Sequence, residues 1–102
     1  MNPMKRCEVR ITEKFEKDYA RLSAQDRVRV SKAIAVIEEH STKYPSLETR
    51  KMTRENKLNN KQLFESRAGD SLRLIWYEED GVIYIIRVGH HDVEKMRKPQ
   101  NY

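Results

Sequence analysis

Cysteine occurs once in 102 residues, tryptophan once, and glycine and proline three times each. The lone Cys7 excludes an internal disulfide and leaves no second thiol for a zinc cluster. Its flanks, Lys5-Arg6 and Glu8-Val9-Arg10-Ile11, make it a strand residue rather than an activated nucleophile. No run of about 18 apolar residues is present, so nothing is expected to span a membrane. The opening Met1-Asn2-Pro3-Met4-Lys5-Arg6 lacks the apolar stretch of a signal peptide, and the expected location is the cytoplasm. There is no repeat and no low-complexity segment, so residues 1–102 read as one domain.

Charge is what the chain has in quantity. Charged residues make up 36% and hydrophobic ones 37%, which implies a thin core under a heavily charged surface. The 21 Lys and Arg exceed the 16 Asp and Glu, for a net charge of +5. A basic surplus favours polyanions, of which nucleic acid is the commonest that a small protein meets.

The apolar periodicity changes along the chain. Over Glu8–Thr12 it alternates, with Cys7, Val9 and Ile11 on one face, which is a short half-buried strand. From Glu13 the spacing of Phe15, Tyr19 and Leu22 is helical, and Ser23 followed by Asp26 reads as the start of a second helix. That helix carries Val30, Ala33, Ile34 and Ile37 on one side and ends before Tyr44-Pro45. Residues Leu47 to Gln62 are polar and basic and are expected to form a surface loop. Three strands come next, Leu63–Arg67, Ser71–Tyr77 and Val82–Val88, joined by turns at Ala68-Gly69-Asp70 and Asp80-Gly81. The expected fold is α+β: a β-α-α-β-β-β chain with a helical hairpin packed on a small curved antiparallel sheet.

Side chains alternate across a strand, so turn length decides which residues share a face. A three-residue turn at Ala68–Asp70 pairs Arg67 with Ser71 and Glu65 with Arg73. Phe64, Leu72, Leu74 and Trp76 then face the helices, and Glu65, Arg67 and Arg73 face away. The turn at Asp80-Gly81 pairs Tyr77 with Tyr84 and Arg73 with Val88, which places His90 beside Arg73. The candidate catalytic group is therefore Arg73, Arg67, Glu65 and the pair His90-His91. Arginine offers a rigid fork of donors to phosphate, and histidine exchanges protons near neutral pH. Neither the carboxylates nor the histidines are spaced as metal ligands, so no metal and no cofactor are expected. Ile75, Tyr77, Tyr84 and Ile86 share the face of Arg73 and form a candidate docking surface.

Between Leu63 and Glu94 the chain resembles the RelE/ParE toxin superfamily. The resemblance rests on Arg73-Leu74-Ile75-Trp76-Tyr77, an acidic turn ending in Gly81, and Ile85-Ile86-Arg87-Val88-Gly89-His90-His91-Asp92-Val93. It implies a toxin of a toxin–antitoxin system that cleaves mRNA, in many relatives at the ribosome, and is neutralised by a protein antitoxin. Arg73 matches the family's phosphate-binding arginine, Arg67 a basic position on the preceding strand, and His90 the histidine of a Val-Gly-His motif. His91 falls where many members have a basic residue. Lys51, Arg54, Lys57 and Arg87 stand as RNA-binding residues, and the antitoxin is expected on Ile75, Tyr77, Tyr84 and Ile86. The chain departs from the family at Glu94, where many relatives carry a tyrosine.

The leading expectation is a metal-independent endoribonuclease. Arg73 and Arg67 hold the phosphate, His90 or His91 is the acid or base, and Glu65 orients or substitutes. Two rivals remain: a ParE-like poison of a protein target such as gyrase, and a nucleic-acid-binding module without chemistry.

Overall fold

The computed structural model describes residues 7–52 and 61–90. Strand β1 (Glu8–Ile11) leads into α1 (Glu13–Ala20) and α2 (Ala24–His40). A short 3-10 turn at Pro45–Leu47 precedes β2 (Arg50–Lys51), and β3 (Phe64–Arg67), β4 (Leu72–Glu79) and β5 (Val82–His90) complete the described elements. The five strands form one sheet in the order β1-β5-β4-β3-β2. Thr12 caps α1 by accepting the Phe15 N–H at 3.2 Å, and Ser23 caps α2 by accepting the Asp26 N–H at 3.1 Å. The two helices cover one face of the sheet. Phe15, Val30, Ala33 and Ile37 pack there against Leu72, Leu74, Trp76, Ile83, Ile85 and Val88.

The α+β architecture is as expected, with two additions. Strand β1 runs parallel to β5, so the sheet is mixed rather than antiparallel. Within the stretch expected as loop, Arg50 and Lys51 pair with Glu65 and Phe64 as an edge strand. Nothing in the local sequence of β2 alternates in polarity. It is a strand because β3 offers it an edge.

The β3–β4 connection is longer than a three-residue turn. Arg67 lies opposite Arg73 and Phe64 opposite Trp76, two places beyond the expected register. The Ala68 N–H donates to the Leu72 carbonyl at 2.9 Å, and Gly69 takes φ +134° inside the turn. A shift of two keeps every side chain on its face, so Phe64, Leu72, Leu74 and Trp76 still meet the helices.

The β4–β5 hairpin begins as expected. Asp80 and Gly81 have φ of 53° and 79°, the paired left-handed conformation of a two-residue type I′ turn. Tyr77 lies opposite Tyr84, with the rings stacked at 5.1 Å. A bulge then intervenes. Trp76 opposes Ile85 but Ile75 opposes Arg87, which leaves Ile86 as the extra residue. Beyond it Leu74 faces Val88, Arg73 faces Gly89 and Leu72 faces His90. The expected pairing of Arg73 with Val88 is thereby corrected, and His90 moves to the helix side of the sheet.

The face away from the helices has a small core of its own. Met52, Leu63, Ile75 and Ile86 pack together, with Tyr77 half-buried against them. Ile75 is 0% exposed and Ile86 4%, so the expected open apolar surface is not there. Met52 and Leu63, which flank the undescribed part of the chain, supply the cover. Tyr77 and Tyr84 remain half-buried.

Past Ile85, β5 has no β1 residue beside it, and α1 takes over. The Asp18 carboxylate accepts the Val88 N–H at 3.0 Å and the Arg87 guanidinium at 2.8 and 3.1 Å. Both side chains of this pair are largely buried, at 9% and 16% exposure. Removing one partner of a buried pair leaves a desolvated charge, which costs about 3–5 kcal/mol. Asp18→Ala is therefore expected to destabilise the fold by about 3 kcal/mol in urea unfolding; a loss below about 1 kcal/mol would place the pair among exposed ones.

Candidate functional site

The charged side chains of β2, β3 and β4 that face away from the helices meet in one cavity. It encloses about 180 Å³ and is lined by Glu48, Arg50, Glu65, Arg67 and Arg73. Glu65 is its centre. The Glu65 side chain is 7% exposed, with Arg50 Nη2 at 3.2 Å and Arg73 Nε at 3.8 Å from the same carboxylate oxygen. A carboxylate this buried is tolerable because cationic partners are beside it. It also holds two guanidiniums close together that would otherwise repel.

Arg73 is itself only 12% exposed, less open than the strand pattern suggests. Its Nη1 donates to the carbonyls of Asp70 at 3.3 Å and Leu72 at 3.1 Å, which fixes the fork against the β3–β4 turn. Arg67 reaches the same turn, donating from Nη2 to the Asp70 carbonyl at 3.2 Å and from Nη1 to Glu48 at 3.1 Å. The Arg67 Nε is buried and has no hydrogen-bond partner among the described residues. An unsatisfied buried donor is uncommon and calls for an acceptor. Glu48 stands at the rim with its side chain 61% exposed and its backbone left-handed, φ 43° and ψ 51°. Non-glycine residues held there carry strain, which concentrates at functional sites.

Arg73, Arg67 and Glu65 are thus brought together as the alternation implied. His90 is not. Its Nδ1 lies 3.0 Å from the Ser71 hydroxyl and its Nε2 3.0 Å from Asp26 of α2, on the opposite side of the sheet. The Ile86 bulge is the cause, since one inserted residue inverts the facing of the strand beyond it. Arg87 is likewise not an open RNA contact, being held by Asp18. Lys51 is exposed but sits opposite Phe64, so it points away from the face of Arg73. Arg54, Lys57, His91 and Glu94 lie outside the described residues. Glu48 and Arg50 join the cavity without having stood out in the sequence. Their signal there is faint: one acid and one more base in a basic stretch, given meaning only by the pairing of Arg50 with Glu65.

Three guanidiniums against two carboxylates leave the cavity cationic, and its donors form planar forks. That is the chemistry of a tetrahedral oxyanion such as phosphate. Inorganic phosphate titrated into the protein is expected to move the amide resonances of Arg67 and Arg73 in the wild type and in His90→Ala alike, and not in Arg67→Ala. Loss of the response in His90→Ala would show that the two faces act together.

No family model matches the chain, and no curated protein matches it in sequence. Solved structures match over most of its length. The RelE–RelB complex from Pyrococcus horikoshii OT3 superposes with a TM-score of 0.65 at 19% identity, covering 84% of this chain and 96% of that one. The RelB–RelE antitoxin–toxin complex from Methanococcus jannaschii gives 0.66 at 17% identity, covering 87% and 98%. The YoeB dimer from Staphylococcus aureus gives 0.63 at 14% identity, covering 85% and 99%. At these identities the likeness is one of fold: two helices on a five-stranded mixed sheet, as in the RelE-like toxins.

Proposed function

We propose that this chain, which shares its fold with RelE-like toxins, is the toxin of a toxin–antitoxin pair and cleaves mRNA, at the ribosome, until a protein antitoxin neutralises it. The observation that carries the reading is the cavity in which Arg50, Arg67 and Arg73 surround the buried Glu65.

RNA breaks when a 2′-hydroxyl attacks the adjacent phosphorus, leaving a 2′,3′-cyclic phosphate and a free 5′-hydroxyl. The reaction needs a base for the attacking hydroxyl and cations for the charge that builds on phosphate. Arg67 and Arg73 grip the phosphate oxygens through their guanidinium forks. Arg50 adds a third cation from the sheet edge. Glu65 is enclosed by guanidiniums and serves to position them. Glu48, solvent-accessible at the rim, is the carboxylate placed to take the 2′-hydroxyl proton. The leaving 5′-oxygen is stabilised by the arginines and takes its proton from water. No step draws on a metal held by this chain.

The antitoxin is read as an acidic segment whose carboxylates meet Arg67 and Arg73 and whose apolar side lies over the stacked pair Tyr77 and Tyr84. Ile75 and Ile86 are too deeply buried to take part.

One observation favours the non-cleaving alternative, a ParE-like poison of a protein target: among the described residues the cavity holds no histidine. The two readings separate on one experiment. Induced alone, the chain is expected to arrest growth and fragment mRNA. Arg73→Ala and Glu48→Gln should each lower cleavage by about a hundredfold or more, with circular dichroism confirming that both stay folded. Growth arrest with intact mRNA would establish the poison instead.

A further inference from the structure

A second hollow, of about 500 Å³, adjoins the arginine cavity at the β2 edge, and Glu48 lines both. It lies between the segment that succeeds α2 and the outer end of the β3–β4 pair. Its character is unlike that of the cavity. Tyr44 is 40% exposed and stacks on His40 at 4.6 Å, and the half-buried Phe64 stacks on Trp76 at 4.6 Å with the rings 17° apart. Two charged groups share the hollow, Lys43 and Glu78. Neither side chain has an ion-pair or hydrogen-bond partner among the described residues.

The hollow opens on the helix side of the sheet, where Phe64 and Trp76 lie, and meets the arginine cavity of the other face at Glu48 on the β2 edge. A nucleotide bent over that edge sets its base on the aromatic faces and its phosphate among the arginines, because every base offers a π-face for stacking. The volume lies within the range of small-molecule sites. These two charges then select among bases. A carboxylate only accepts hydrogen bonds and an ammonium only donates them. Guanine presents N1–H and N2–H side by side, which a carboxylate takes with both oxygens, and its O6 and N7 are acceptors for an ammonium. Adenine and cytosine offer a carboxylate one exocyclic amine each, and uracil offers a single ring N–H.

We propose that this hollow is a guanine-recognition subsite, with Tyr44 and Phe64 as the stacking surface, Glu78 on the N1–H/N2–H edge and Lys43 on O6 or N7. The proposal rests on the reading of the arginine cavity as the seat of the scissile phosphate, and it names the base that accompanies that phosphate.

The test uses the full chain and four probes, the 5′-monophosphates of guanosine, adenosine, cytidine and uridine, monitored by NMR. Guanosine monophosphate is expected to shift the amides of Tyr44 and Glu78 and to bind about tenfold more tightly than the other three. Glu78→Gln should erase that preference, and Tyr44→Ala should weaken all four. Equal affinities, shifts confined to Arg67 and Arg73, or no response at all would each overturn the subsite. The outcome is separable from that of the function. Fragmented mRNA with no nucleotide response at Tyr44 and Glu78 sinks the subsite alone, whereas guanosine monophosphate seated there while cellular mRNA stays intact sinks the cleavage reading alone.

Discussion

Between Ile85 and Arg87, β5 carries one residue more than β4 can oppose, and the two faces of the sheet depend on where that residue goes. Ile86 turns away from the helices and packs on Ile75, Met52 and Leu63. The strand resumes with Val88 in the helix-side core opposite Leu74. Without the bulge, Val88 would face outward and His90 would join Arg73. With it, each face keeps an apolar centre, and His90 is bound between Ser71 and Asp26. Bulges also bend and twist a strand, which bears on how the sheet curves about the arginines.

The arginine cluster is organised by a carboxylate rather than by the backbone alone. Three guanidiniums within one small cavity repel, and each would swing toward water if nothing held it. Glu65 draws in Arg50 and Arg73, Glu48 draws in Arg67, and the Asp70 carbonyl accepts from both Arg67 and Arg73. Forks fixed in advance lose little entropy when an anion arrives, which is what makes arginine effective at such sites. The cost is that an incoming anion competes with carboxylates already in place.

Sheet edges explain two features that look incidental. Exposed strand edges invite pairing with other chains, and short or charged edge strands discourage it. On one side β2 is two residues long and both are basic. On the other, β1 covers β5 only as far as Ile85, and the Asp18 carboxylate takes the Val88 N–H that a longer strand would have bonded. The same carboxylate neutralises Arg87, so a residue that looks in sequence like an RNA contact is part of the frame.

The sequence by itself determined the elements and most of the facing. Helical spacing at Phe15 and Tyr19, the Ser23 cap, the Asp80-Gly81 turn and the alternation of Phe64 with Glu65 all act through neighbours a few residues away, so they are legible locally. The grouping of Glu65, Arg67 and Arg73 survived a register shift of two because strand facing repeats every two residues. Only the tertiary structure decided the rest. A bulge at Ile86 has no marker in the largely apolar Val82–Val88 run, since any of several residues can be the extra one; the choice falls where the two cores are best filled. The pairing of Arg50 with Glu65 and the burial of Ile75 arise from contacts between segments more than ten residues apart. Such contacts carry no local periodicity, and the chain reveals them only when it is folded.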